Sequence, residues 1–170
     1  MSMENLHDLL KHELGDLLFA EKTVLKGLKK MTKEAKDPEV KARLEQHYTE
    51  TEGQITNLEA AFEAIGEKAR AQKCPGILGI MEEKKEFDTE EEPSPEMKEA
   101  FNLGAGMRVE HYEIAGYHSA IVLAKVVGNR ECADLLAQNL QQEVDMEKFL
   151  RAASGKALKE IDRKLAVAAE

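Results

Sequence analysis

Apolar residues recur at spacings of three and four along most of the chain, the period of a buried helical face and not of a strand. The first such row is Leu10, Leu14, Leu17, Leu18, Leu25 and Leu28, and it predicts a helix over residues 5–35. Asn5 and Asp8 form a loose capping box at its start. Asp37-Pro38 then ends one helix and opens another, with aspartate as N-cap and proline at the first helical position. So short a linker makes the two helices antiparallel neighbours. The second helix, residues 38–65, buries Leu44, Tyr48, Thr51, Ile55, Leu58, Phe62 and Ile65, and Gly66 caps it.

The pattern changes over residues 66–95. Cys74-Pro75-Gly76 reads as a turn, residues 77–87 as one short helix, and the acidic stretch from Asp88 to Pro95 as an exposed loop. A connection this long lets the next helix lie parallel to the second. That third long helix, over residues 95–127, starts at Ser94-Pro95 and carries Leu103, Met107, Ile114, Tyr117 and Ile121. Gly104, Gly106 and Gly116 each weaken it by ~1 kcal/mol relative to alanine, which predicts close approach of a neighbouring helix. Gly128-Asn129 makes a tight antiparallel turn into the fourth helix, whose row is Cys132, Leu136, Leu140, Met146 and Leu150. Ser154-Gly155 is expected to break or bend the chain before a helical tail over residues 155–170, which caps the assembly or mediates association. The predicted fold is all-α: a single domain over residues 1–170, with an antiparallel four-helix bundle over residues 4–153, a crossover at 66–95 containing a short helix, and the C-terminal tail.

Length permits one domain with a real core, and the net charge of −9 argues against nucleic acid or an anionic membrane surface as partner. No apolar run approaches the ~20 residues that span a bilayer. The N-terminus has no basic start and apolar centre of a signal peptide, and two cysteines, Cys74 and Cys132, do not form a framework of staples. A cytoplasmic protein with reduced thiols is expected.

Glutamates interrupt the apolar rows on all four long helices. Glu21 falls in the first row where a leucine is expected, and Glu50 flanks the second with His47 and Gln54. Glu110 stands in the third with Glu113 nearby, and Glu143 in the fourth with Glu147 one turn on. A buried carboxylate is costly unless it is paired, protonated or bound to a metal. Lys22, Lys125 and Lys148 fall off the rows, so no basic side chain is expected at matching depth. Two divalent cations would cancel four such charges, and oxygen ligands suit iron or manganese. This is the carboxylate scheme of ferritin-like di-metal bundles.

The usual Glu-x-x-His of that scheme is absent, since Gly53 and Met146 stand three residues after Glu50 and Glu143. Gln54 and Glu147, four residues on, are within reach instead. The expected metal ligands are Glu21, Glu50, Glu110, Glu113, Glu143 and Glu147. Gln54 and His47 are further ligands or hydrogen-bond partners behind them, and for His47 the second role is preferred. Asp16 is read as a hydrogen-bonding residue at the flank, His111 and His118 as packing beside the core row or hydrogen-bonding behind the ligands, and Tyr48, Tyr112 and Tyr117 as core aromatics whose hydroxyls need partners. No residue is assigned a catalytic role.

Four stretches also carry a family resemblance: Asp16 to Lys22, His47 to Gln54, Lys73-Cys74-Pro75, and Val109 to Tyr117 with its Glu-His-Tyr-Glu-Ile-Ala core. In order and spacing over residues 6–152 the chain resembles the YciE/YciF family of bacterial stress-associated, ferritin-like proteins. The resemblance implies a dimeric di-iron bundle related to rubrerythrin, without rubrerythrin's cysteine-paired electron-transfer module. The expected chemistry is oxidation of iron by oxygen or peroxide. The alternatives are a non-catalytic stress protein, whose metal or carboxylate cluster stabilises a helical dimer, and a metal-free adaptor that binds a partner helix through its glycine-rich third helix.

Overall fold

Five helices and no strand make up residues 3–168, the part of the chain that the computed structural model describes. They are α1 (Leu6–Glu34), α2 (Pro38–Ala64), α3 (Pro75–Glu90), α4 (Pro95–Val126) and α5 (Arg130–Ala168). Local chemistry sets their starts. Asn5 accepts a hydrogen bond from the Asp8 N–H, Asp37 from Glu39 and Val40, Ser94 from Met97, and Asn129 from Cys132. Gly66 and Gly128 end α2 and α4 with φ of 76° and 80°, a left-handed conformation that side chains with a Cβ resist.

α1 packs on α2 and α4, and α5 packs on the same two, so the long helices form a closed ring. One end of the ring gathers Leu10, Leu14 and Leu18 of α1, Leu58 and Phe62 of α2, Ala120 and Ala124 of α4, and Leu136 of α5. The first halves of α1 and α5 therefore meet the last halves of α2 and α4, and every neighbouring pair runs antiparallel. The other end gathers Leu28, Val40, Leu44, Leu103, Met146 and Leu150. Each leucine taken wholly out of water contributes ~2 to 3 kcal/mol, which is what holds the ring shut.

The crossover reaches α4's position by passing over α1. Gln72 N–H donates to the Gly15 carbonyl at 2.9 Å, and a Cβ on Gly15 would lie 3.0 Å from the Arg70 carbonyl. Only a glycine lets the strap lie this close.

Several expectations are corrected. Cys74-Pro75-Gly76 is no separate turn: Cys74 caps α3, and Pro75 is its first residue. α3 runs on through Glu90, so Asp88 is helical and sits among Lys84, Lys98 and Lys30 instead of in an exposed loop. α5 is unbroken through Ser154 and Gly155; one glycine costs only ~1 kcal/mol against the hydrogen bonds of a helix already formed on both sides. The last two residues of the expected tail, 169 and 170, lie outside the described residues.

On α4 the buried face is rotated from the apolar row. Met107 and Ile114 are half-buried, whereas Ala105, Gly106, Val109, Glu113, Ala120 and Ala124 are buried. Small residues win because helices close in there: a Cβ on Gly106 would be 3.0 Å from Leu150, and one on Gly116 2.9 Å from Leu17. Gly104 has no such neighbour. His111 and His118 are exposed. Among the described residues no helix is long and apolar enough to cross a membrane.

Candidate metal centre

Halfway along the ring, between its two apolar ends, the rows of all four long helices turn polar. Glu21 of α1, His47 and Gln54 of α2, Glu110 and Glu113 of α4 and Glu143 of α5 are all buried there. Each occupies a position three or four residues from buried or half-buried apolar neighbours, so helical periodicity carries the carboxylates inward with them.

His47 Nε2 stands 3.5 Å from Glu110 Oε1 and 3.9 Å from Glu143 Oε2. One ligand atom from each of these three residues lies within 4.8 Å of the others, a spacing that one ion can bridge. Gln54 Nε2 donates to Glu143 Oε1, and the Tyr117 hydroxyl donates to Glu21 Oε1. Asn139 braces both: its Nδ2 donates to the Tyr117 oxygen at 3.0 Å and to the Gln54 backbone carbonyl at 3.1 Å, while its Oδ1 accepts from Asn57.

One oxygen each of Glu21, Glu110 and Glu143, both oxygens of Glu113, Gln54 Oε1 and His47 Nε2 are buried without a hydrogen-bond partner. That concentration of unmet acceptors is abnormal, because an unsatisfied buried polar group costs ~1 to 3 kcal/mol and more when charged. Burial raises the pKa of Glu21, Glu113 and Glu143 well above the ordinary carboxylate range, and the facing carboxylates add to it. Burial likewise pushes Glu110 up to about 7. A cation among these oxygens would remove both the missing bonds and the repulsion.

Glu50 and Glu147 are placed differently. Both Glu50 oxygens are engaged, by Arg43 at 2.8 Å and Gln46 at 2.7 Å, with His47 Nδ1 at 3.4 Å. The His47 hydrogen bond, with Arg43 beside it, holds the Glu50 carboxyl down at about 2. Glu147, at the rim, pairs with Arg151 at 3.3 Å and lies 3.7 Å from His111. Arg43 corrects the expectation that no basic side chain reaches this depth. It was missed because it stands off the apolar row and reaches Glu50 along its own helix. Asn139 was also missed; an asparagine one turn before Glu143 and between Leu136 and Leu140 was the available signal.

Behind this cluster the Tyr112 hydroxyl donates to Asp16 Oδ2 at 2.7 Å and lies 2.9 Å from Cys74 Sγ. Asp16 has the hydrogen-bonding role expected of it, and a Cβ on Gly76 would fall 2.5 Å from the Tyr112 ring. This contact docks the crossover helix onto α1 and α4.

The structure thus defines an all-helical protein with a buried cluster of carboxylates and one imidazole. The chain belongs to the family described as a domain of unknown function (DUF892), whose model matches residues 5–162. It is 32% identical over 144 residues to the protein YciF of Escherichia coli strain K12, covering 84% of this chain and 86% of the relative. The crystal structure of the E. coli stress protein YciF is similar with a TM-score of 0.85 at 29% identity, covering 92% of this chain and 99% of that one. YcfI of Rhodopseudomonas palustris, provisionally described as a structural protein, is similar with a TM-score of 0.84 at 31% identity, covering 88% and 95%.

Proposed function

We propose that the chain is a ferritin-like four-helix bundle, built of α1, α2, α4 and α5, that holds two metal ions, iron for preference and manganese as the alternative. The observation that carries this reading is the set of buried, partnerless oxygens on Glu21, Glu110, Glu113 and Glu143 around His47 Nε2. Four carboxylates match the charge of two divalent ions, and oxygen donors with one imidazole suit iron or manganese. Those five residues would hold the metals, with Gln54 as a further donor. Glu50 and Glu147 would join by exchanging Arg43 and Arg151 for a metal. When bound, iron supplies electrons to oxygen or peroxide.

The chain's own residues prepare the site. Tyr117 and Gln54 each tie down one oxygen of Glu21 and Glu143, which leaves the other oxygen of each free. Asn139 positions both donors. Burial keeps the Tyr117 hydroxyl protonated, so it remains a donor. Apolar residues above and below exclude water, which strengthens every charge interaction inside.

Oxidation of iron(II) during stress is the favoured role, supported by similarity to the E. coli stress protein YciF. A cytoplasmic homodimer completes the reading and is carried by the family resemblance. Elemental analysis of protein expressed with iron tests it: about two metals per chain are expected, with a rise in Tm on adding iron(II) to the metal-free form. Glu113→Gln should abolish uptake yet stabilise the metal-free protein, because it removes a repelling carboxylate. No metal and an unchanged Tm would sink the proposal.

A second reading takes the metal or cluster as a static support. The arginine partners of Glu50 and Glu147 and the description of YcfI favour it. A static site is closed, so iron-loaded protein would show no spectral response to peroxide or oxygen.

A further inference from the structure

The core on the α1–α2 turn side of the carboxylates is not solid. A cavity of about 20 Å³ lies against Glu110, walled otherwise by apolar groups that include Val24, Val109 and Met146. Met31, Leu44 and Leu150 also line it, and the same three side chains line a larger pocket of about 190 Å³. They are the partition between the two spaces. The larger pocket is lined further by Val40 and Leu103 and by the polar side chains of Glu34, Lys98, Glu99 and Asn102, and it meets solvent at Pro95. At the inner end, Glu110 Oε2 is buried without a partner.

A path with these walls selects by polarity. Beyond the partition a hydrated divalent cation would have to shed its water among apolar groups, with no ligand before Glu110 to replace it. Hydrogen peroxide would give up its hydrogen bonds along the same stretch. Dioxygen has none to lose, and the inner cavity exceeds the roughly 10 to 15 Å³ that a molecule the size of water requires. Methionine is the flexible, unbranched filler of irregular gaps. Met31 in the partition and Met81 in the inner wall can therefore swing without moving a helix.

We propose that these two spaces form an entry route and waiting site for dioxygen that ends at Glu110. The inference rests on the metal-oxidation reading for its purpose, and adds the identity of the oxidant and the side chains that admit it. Entry itself is measurable without metal. The experiment is NMR of side-chain methyl groups in the metal-free, full-length chain under oxygen pressure, where dissolved dioxygen speeds relaxation of the nuclei it visits. Methyls of Leu44, Met146 and Leu150 should show an enhancement several-fold above those of Leu10, Leu14, Leu58 and Leu136, which are buried to a similar depth at the other end. Equal enhancement at both ends would overturn the proposal, whether or not the chain takes up iron.

In iron-loaded protein, Leu44→Phe should retain the metal and lower the ratio of the oxygen-driven to the peroxide-driven oxidation rate several-fold. An unchanged ratio would overturn the choice of dioxygen. Should that variant fail to fold, the methyl measurement on the unaltered chain still decides. Absence of iron uptake would remove the proposed function alone, because the methyl pattern is read from metal-free protein.

Discussion

The two apolar ends of the helical ring are built differently. At the first, leucines from three helices and Phe62 meet alanines of α4 and α5, and Leu10, Leu14, Leu58, Phe62 and Leu136 are wholly buried. At the second, the long helices enclose space, Met31, Met81 and Met107 are half-buried, and part of the wall comes from Ile77 of α3 and from Cys74, which caps it. The carboxylates lie between. The contrast separates two tasks that one uniform core would perform poorly. A tightly packed end holds the carboxylate-bearing helices in register against their own repulsion, and a looser end leaves room for a small molecule to reach them.

Stability should divide along the same line. Leu58→Ala at the tight end is expected to cost ~3 to 5 kcal/mol in urea unfolding, because its surroundings cannot collapse. Leu44→Ala should cost less, ~2 to 3 kcal/mol, since part of that side chain already faces a void and has fewer contacts to lose. Equal costs would break the comparison.

The region between the ends should show itself through pH. Burial lifts Glu110 from the ordinary 4.5 of a glutamate to about 7, so between those values the folded metal-free protein binds a proton that the unfolded chain does not. Its contribution is therefore full below 4.5 and is lost as pH rises through about 7. The loss is on the order of 3 kcal/mol from this group alone, and Glu21, Glu113 and Glu143 push the same way. Urea melts of metal-free protein at pH 5, 6 and 7.5 check it. Iron should flatten the profile, because bound metal replaces the proton.

Smaller effects separate the ends at single glycines. Gly116→Ala places a methyl 2.9 Å from Leu17 at the tight end, and ~1 to 2 kcal/mol of destabilisation is expected. Gly27→Ala at the loose end meets only the Met81 methyl, at 4.0 Å, so helix propensity prevails and ~0.5 to 1 kcal/mol is gained. Thermal melts of the two variants, with opposite signs of ΔTm, would sharpen the contrast; the same sign would blur it.

Helix boundaries were legible where local chemistry writes them: Asn5, Asp37, Ser94 and Asn129 each cap from a side chain one turn away. The inward positions of Glu21, Glu110, Glu113 and Glu143 were legible for a related reason, since the period of a helix binds a side chain's direction to that of its apolar neighbours. What failed was whatever depended on a second element. Asp88 was read as part of a solvated acidic loop, but lysines from α1 and α4 meet it. Glu50 was grouped with the other glutamates until Arg43 appeared beside it. The rotation of α4's buried face follows from Leu17 and Leu150, which stand far along the chain.

The linear order of residues by itself determined that this chain is helical, where each long helix starts, and that acidic groups ride on buried stripes. These are consequences of backbone hydrogen bonding and of a period of 3.6 residues, both settled within a few turns. Only the tertiary structure decided which acids go unpartnered, which find arginines, and which end of the core keeps a void. Those outcomes turn on distances of a few ångströms between groups dozens of residues apart, and such distances exist only once the helices have packed.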